Sequence, residues 1–130
     1  MPAYNNAPYI GAAIESVLAQ SHPNWELLIV DDASNDETLE RAEQFQKLDQ
    51  RIKVFVMAEN QGASFCRNYG TKKSTGDFIA FLDAEDLWAP EKLKRQLAFM
   101  QQHDLGVSFT AYHQIDLDGQ DRLVFFRTSS

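Results

Sequence analysis

Three carboxyls fall within four residues at Asp83-Ala84-Glu85-Asp86. Like charges packed in one loop repel, and the arrangement is tolerable only if a cation or hydrogen-bond donors sit among them. Hard carboxylate oxygens suit Mg2+ or Mn2+. Such an ion can bridge a carboxylate and a diphosphate, and can stabilise a diphosphate leaving group. Three further polar clusters could join that chemistry: Ala3-Tyr4-Asn5-Asn6, Asp31-Asp32-Ala33-Ser34 and Glu59-Asn60-Gln61-Gly62. Tyr4 offers a flat face for a base. Asp32 offers an acceptor for a ring N–H. Arg67 offers a cation for a phosphate or ribose. The loop at Ala3–Asn6 is neither Gly-x-Gly-x-x-Gly nor a P-loop, so its backbone is not built to cradle phosphate at a helix N-terminus.

The elements that must position these clusters alternate along the chain. Apolar periodicity over residues 8–20, with Ile10, Ile14, Val17 and Leu18 on one face, predicts a helix whose first turn holds Pro8. Trp25-Glu26-Leu27-Leu28-Ile29-Val30 is a nearly continuous apolar run, as expected of a strand covered on both faces. Ser34-Asn35-Asp36-Glu37 reads as a capping box for a second helix with the stripe Leu39, Ala42, Phe45 and Leu48. Residues 52–57 read as the next strand. A shorter helix follows Gly62 and carries Ala63, Cys66 and Tyr69 before Gly70. Residues 78–82 (Phe-Ile-Ala-Phe-Leu) read as a buried strand, and Pro90 opens a helix with Leu93, Leu97 and Met100. Residues 106–113 read as a strand and Asp118-Gly119 as a hairpin turn.

Strands and helices alternating over short links imply right-handed crossovers and a mostly parallel sheet. The fold class expected is α/β, a three-layer α/β/α sandwich. In such a sheet the four polar clusters lie along one edge, where ligands bind. Residues 1–6 are too few for a strand plus a loop, so the sequence is expected to begin at the carboxyl end of a strand.

The chain has 130 residues, which is one domain's worth, and 44% of them are hydrophobic. It carries 12 Lys and Arg against 19 Asp and Glu, a net charge of −7, which argues against nonspecific nucleic-acid binding. The single cysteine, Cys66, excludes a disulfide framework and a Cys-based zinc site. No apolar run approaches about 18 residues, and the N-terminal residues do not read as a signal peptide. His22, His103 and His113 show no ligand spacing.

Four blocks in order then carry a resemblance. They are Pro2-Ala3-Tyr4-Asn5 with Ser16-Val17-Leu18-x-Gln20-Ser21; Trp25 to Ser34; Asn60-x-Gly62-Ala63-Ser64-x-x-Arg67-Asn68-x-Gly70; and Gly76 to Asp86 with Trp88 and Pro90. Together, from Met1 to about Phe109, they resemble the opening of family 2 glycosyltransferases of GT-A fold. The resemblance implies a truncated GT-A domain, residues 1–130, that binds a nucleotide-sugar donor, with residues from about 114 as a tail or the start of the acceptor part.

It implies that Pro2, Ala3 and Tyr4 line the base pocket, with Tyr4 against the ring. Asp32 would accept from the base, and Asn60, Gly62 and Arg67 would lie beside the donor, Arg67 near ribose or diphosphate. Asp83-Ala84-Glu85 matches the Asp-x-Asp signature: Asp83 would face ribose and metal, and Glu85 would ligate the Mn2+ or Mg2+. Glu85 departs from the usual Asp by one methylene.

The activity implied is transfer of a sugar, from a UDP-sugar above other donors, to a saccharide or lipid-linked acceptor, with inversion. No general base is assigned: the resemblance implies that it lies past the matched region, and Asp116, Asp118 and Asp121 read as turn and loop residues. Alternatives are a nucleotidyltransferase, whose Gly-rich Arg-containing loop is absent, and a non-catalytic nucleotide-sugar-binding fragment or remnant. The blander readings are an ion pair for Arg67, packing roles for Tyr4 and Trp88, and a structural role for Asp31. A cytoplasmic location is expected, at the inner face of a membrane through a part outside this sequence. Loss of a first strand would leave sheet edges unpaired, so the chain is expected to borrow a strand from a second copy or to be marginally stable.

Overall fold

A computed structural model describes residues 1–116, 118, 119, 121 and 122. The described chain groups into two compact units, Met1–Arg95 and a second from Gln96 onward. The first unit opens with β1 (Pro2–Ala3), α1 (Ala7–Leu18), β2 (Leu27–Asp31), α2 (Thr38–Leu48), β3 (Ile52–Val56) and α3 (Ala63–Lys73). The three strands form one parallel sheet in the order β1-β2-β3. The register pairs Pro2 with Val30 and Ala3 with Asp31, then Leu27 with Ile52 through Asp31 with Val56. A strand therefore does form within residues 1–6: two residues suffice, because β2 supplies the ladder and the Asp32 N–H donates back to the Ala3 carbonyl.

All five residues of β2 are buried, which is why it reads as an unbroken apolar run. Successive side chains alternate between faces. Leu27 and Ile29 join Ile10, Ile14 and Val17 of α1 and Ala42 of α2 in one apolar cluster. Val30 points the other way, where Gly70 of α3 comes close enough that a methyl there would sit 3.6 Å from the Val30 side chain. Helices thus cover both faces, the layered arrangement expected. Helix α3 runs on to Lys73 instead of ending at that glycine.

Several expected elements differ. Ser34 does not cap α2, which begins at Thr38; its hydroxyl donates to Asp31 instead, at 2.6 Å. Leu18 and Leu48 leave their apolar stripes, Leu48 being 83% exposed. Residues 78–82 form no strand among the described residues; Leu82 is buried, but Phe78, Ile79 and Phe81 stand half exposed. A parallel strand needs a neighbour's N–H and C=O groups along its length, and β1 offers only two residues, one of them a proline without an N–H. Residues 88–93 are tied to the C-terminal end of α1. Trp88 N–H donates to Ser16 Oγ, Leu93 N–H to Gln20 Oε1, and Ser21 N–H to the Pro90 carbonyl. Trp88 also packs on the core, the packing role weighed for it.

Helix α4 (Lys92–Gln102) follows, with Leu93, Leu97 and Met100 half-buried. In the second unit Gln96 Nε2 donates to Ser108 Oγ at 2.9 Å. Residues 106–113 are not a strand; the strands there are β4 (Gln114–Ile115) and β5 (Asp121–Arg122), paired antiparallel. The expected turn at Asp118-Gly119 joins them, with Gly119 at φ 76°. Among the described residues no helix is long and apolar enough to cross a membrane.

Candidate functional site

Parallel strands deliver their following loops to one edge, and the loops after β1, β2 and β3 meet there with residues 83–85. They enclose a cleft of about 180 Å³ lined by Pro2, Ala3, Tyr4, Asn6, Asp32, Ala63, Arg67, Asp83, Ala84 and Glu85. Eight of the residues singled out from sequence line it. Asn60 and Gly62 do not; they stand behind Asp32. Asn6, named in the first polar cluster but given no role, also lines the cleft; Ala63, next to Gly62 at the start of α3, was missed.

Asp32 is buried at the end of β2, and both carboxylate oxygens are engaged. Oδ1 accepts the Gln61 N–H at 2.7 Å and Oδ2 the Gly62 N–H at 2.8 Å. Asn60 Nδ2 reaches the Asp32 carbonyl at 3.4 Å. Asp32 therefore clamps the loop after β3 against the end of β2 while presenting one edge to the cleft. Gly62, at φ 92°, completes that turn in a conformation few side-chain-bearing residues adopt. Asp31 is structural: its carboxylate accepts the Ser34 N–H and hydroxyl and closes the turn that carries Asp32 away from the sheet.

On the opposite wall Arg67 donates to Asp83 Oδ1 at 2.7 Å. Arg67 thus forms the ion pair considered for it, but inside the cleft. The acids of residues 83–86 do not converge on one point. Asp83 is held by Arg67, Glu85 is exposed, and burial with the nearby Asp83 charge raises the Asp86 carboxyl above its ordinary range. Among the described residues no three His, Cys, Asp or Glu side chains group to hold a metal ion by themselves.

Beneath the cleft Cys66 is buried. Burial pushes its thiol up to about 11, and its hydrogen bond to Asp32 acts in the same direction. A neutral, enclosed thiol is a poor nucleophile. We expect a disulfide reagent at mildly alkaline pH to label Cys66 only after denaturation; rapid labelling of the folded protein would contradict this.

Residues 1–125 match the sequence profile of Glycosyl transferase family 2. The chain belongs to that family. It is 44% identical over 118 residues to TuaG of Bacillus subtilis, whose name assigns it provisionally to teichuronic acid biosynthesis; the match covers 91% of this chain and 47% of TuaG. It is 40% identical over 116 residues to WfgD of Escherichia coli, named as a UDP-Glc:alpha-D-GlcNAc-diphosphoundecaprenol beta-1,3-glucosyltransferase, covering 89% of this chain and 45% of WfgD. The chain thus spans just under half of each relative.

The fold is shared with solved glycosyltransferases. TarS 1-349 of S. aureus, solved with UDP-GlcNAc, superimposes with a TM-score of 0.74 at 33% identity, covering 79% of this chain and 30% of that one. The mannosyltransferase PcManGT of Pyrobaculum calidifontis, solved with GDP-Man and Mn2+, gives 0.71 at 25% identity, covering 76% and 30%. These likenesses bear out the GT-A fold read from the four sequence blocks.

Proposed function

We propose that residues 1–130 bind the donor of a glycosyltransferase that moves a sugar from a nucleoside diphosphate, UDP foremost, to a saccharide or lipid-linked acceptor. The observation that carries this is the convergence of Tyr4, Asp32, Arg67, Asp83 and Glu85 on one cleft at the carboxyl edge of the sheet. In this reading Tyr4 stacks on the base, Asp32 shapes the base pocket, and Arg67 and Asp83 face the ribose and diphosphate. The names of WfgD, TarS and PcManGT, with their UDP-sugar or GDP-sugar donors, support the donor class.

A divalent ion fits the residues present. Mg2+ and ions like it are held by one or two carboxylates plus substrate phosphates, and Asp83 and Glu85 line the same cleft as that pair. Bound there, Mn2+ or Mg2+ would offset the charge that builds on a departing diphosphate. Arg67, paired with Asp83 on the same wall, is placed to do part of the same work. Transfer itself, with inversion at the sugar, is proposed for the whole protein. In this reading residues from about 114 onward are a tail or the start of the acceptor part.

Calorimetric titration of UDP, GDP and dTDP tests the reading, each with Mn2+ and with chelator, on the wild type and Glu85→Ala. We expect one nucleotide to bind in the presence of metal, with Glu85→Ala weakening it at least about tenfold, a change of roughly 1.4 kcal/mol. A folded wild type that binds none of the three would overturn the proposal.

A further inference from the structure

Two loops of the cleft edge hold non-glycine residues at positive φ, Asn5 at 51° and Ala33 at 61°. Such a backbone costs on the order of 1 kcal/mol per residue, and it persists only where the surroundings over-determine it. Tyr4, in the first of these loops, is 44% exposed, so apolar packing does little to hold it. What holds the loop is a chain of hydrogen bonds to the start of α2. The Asn5 N–H donates to Ser34 Oγ, the Asn6 N–H to Thr38 Oγ1 at 2.8 Å, and the Ala7 N–H to Asp36 Oδ2 at 3.1 Å. In return the Asn35 N–H donates to Asn5 Oδ1, and Arg41 donates to the Ala7 carbonyl.

Asp36 and Thr38 form the centre of this chain. The Asp36 carboxylate accepts the Thr38 N–H and hydroxyl and also the Ala7 N–H, so one side chain caps the N-termini of both α1 and α2. The Thr38 side chain is fully buried, and its hydroxyl donates to Asp36 while accepting from Asn6, which leaves it a single orientation. Partial desolvation would raise the Asp36 carboxyl; the bonds from Thr38 and Ala7 outweigh it and hold the group below its usual range.

We propose that Thr38 and Asp36 are positioning residues for the donor: they latch the loop after β1 to the start of α2 and so fix Tyr4 where it meets the nucleobase. The proposal rests on the donor-binding reading above. Neither residue lines the cleft; both act through the Tyr4 loop.

The test is a mutant cycle read by UDP affinity in the presence of Mn2+. Thr38→Val removes the hydroxyl at nearly constant volume, Thr38→Ser keeps it, and Asp36→Ala, at an exposed side chain, supplies a variant that spares the core. Each is measured well below its melting midpoint, so that a lower stability alone does not change the affinity. We expect Thr38→Val and Asp36→Ala each to weaken UDP binding about tenfold, the size of one lost charge-assisted hydrogen bond. Thr38→Ser should return to within about twofold of wild type. In a Tyr4→Leu background the same changes should have little further effect, because the ring they position is gone. Unchanged affinity in Thr38→Val and Asp36→Ala, or full additivity with Tyr4→Leu, overturns the latch while leaving the donor site standing. A folded wild type that binds no nucleotide overturns both.

Discussion

Asp32→Asn is expected to lower stability by about 2–3 kcal/mol and to abolish most nucleotide affinity. The substitution keeps the shape of the side chain and changes only what it can accept. Two backbone N–H groups, of Gln61 and Gly62, now donate to a carboxylate buried at the end of β2. An amide can serve one of them and must turn its own NH2 toward the other. A hydrogen bond to a charged group contributes roughly 1.5–3 kcal/mol, and a buried donor left without an acceptor costs a similar amount. The loop carrying Asn60 to Gly62 would then lose its anchor, and with it Ala63 and the start of α3, which carries Arg67. Urea denaturation and UDP calorimetry read the two effects separately. A variant with the wild-type midpoint and affinity would show that the clamp contributes nothing.

The second large effect is expected in the core. Ile29 lies at the middle of β2, fully buried, paired with Val54 of β3 and clustered with residues of α1 and α2. Ile29→Ala should cost about 2–5 kcal/mol, the range for emptying a well-packed site. That is a large share of the total stability of a domain this size. Leu48→Ala is the control: at 83% exposed, it should shift the urea midpoint little. Equal shifts for the two variants would mean that the apolar cluster around Ile29 is not what holds the first unit together.

How far the sequence anticipates the structure depends on which force acts at each position. Burial leaves a signature in residue type, so the run around Ile29 and the stripe Ile10, Ile14, Val17 were legible. Pairing does not. Phe78 to Leu82 has the composition of a buried strand, yet strandhood depends on a partner backbone, and β1 is too short to provide one. The same holds for residues 106–113, where no partner strand lies alongside among the described residues. The spacing from Ser34 to Glu37 is that of a capping box, but a hydroxyl takes whichever acceptor lies nearest, and Asp31 lies nearer. At the cleft, topology made the loops after β1, β2 and β3 predictable as a group, because a parallel sheet sends them to one edge; residues 83–85 join them without a strand of their own. The bonds within the group were not predictable. Arg67 with Asp83, and Asp32 with Gln61 and Gly62, join residues far apart in sequence whose complementarity shows only after the chain has closed.

The all-parallel order of β1, β2 and β3 has a kinetic consequence. Parallel neighbours cannot be joined by a tight turn, so each pairing waits for a whole intervening helix to be placed. Loop closure must be met before the contacts that reward it, and sheets of this kind form slowly from local pieces. The cleft draws residues from both crossovers, from α3 and from residues 83–85. A chain that has docked only one helix has core, has secondary structure, and has no site. Recovery of nucleotide binding during refolding should therefore lag the recovery of helical signal, and ligand capture reports the last step of assembly rather than the first.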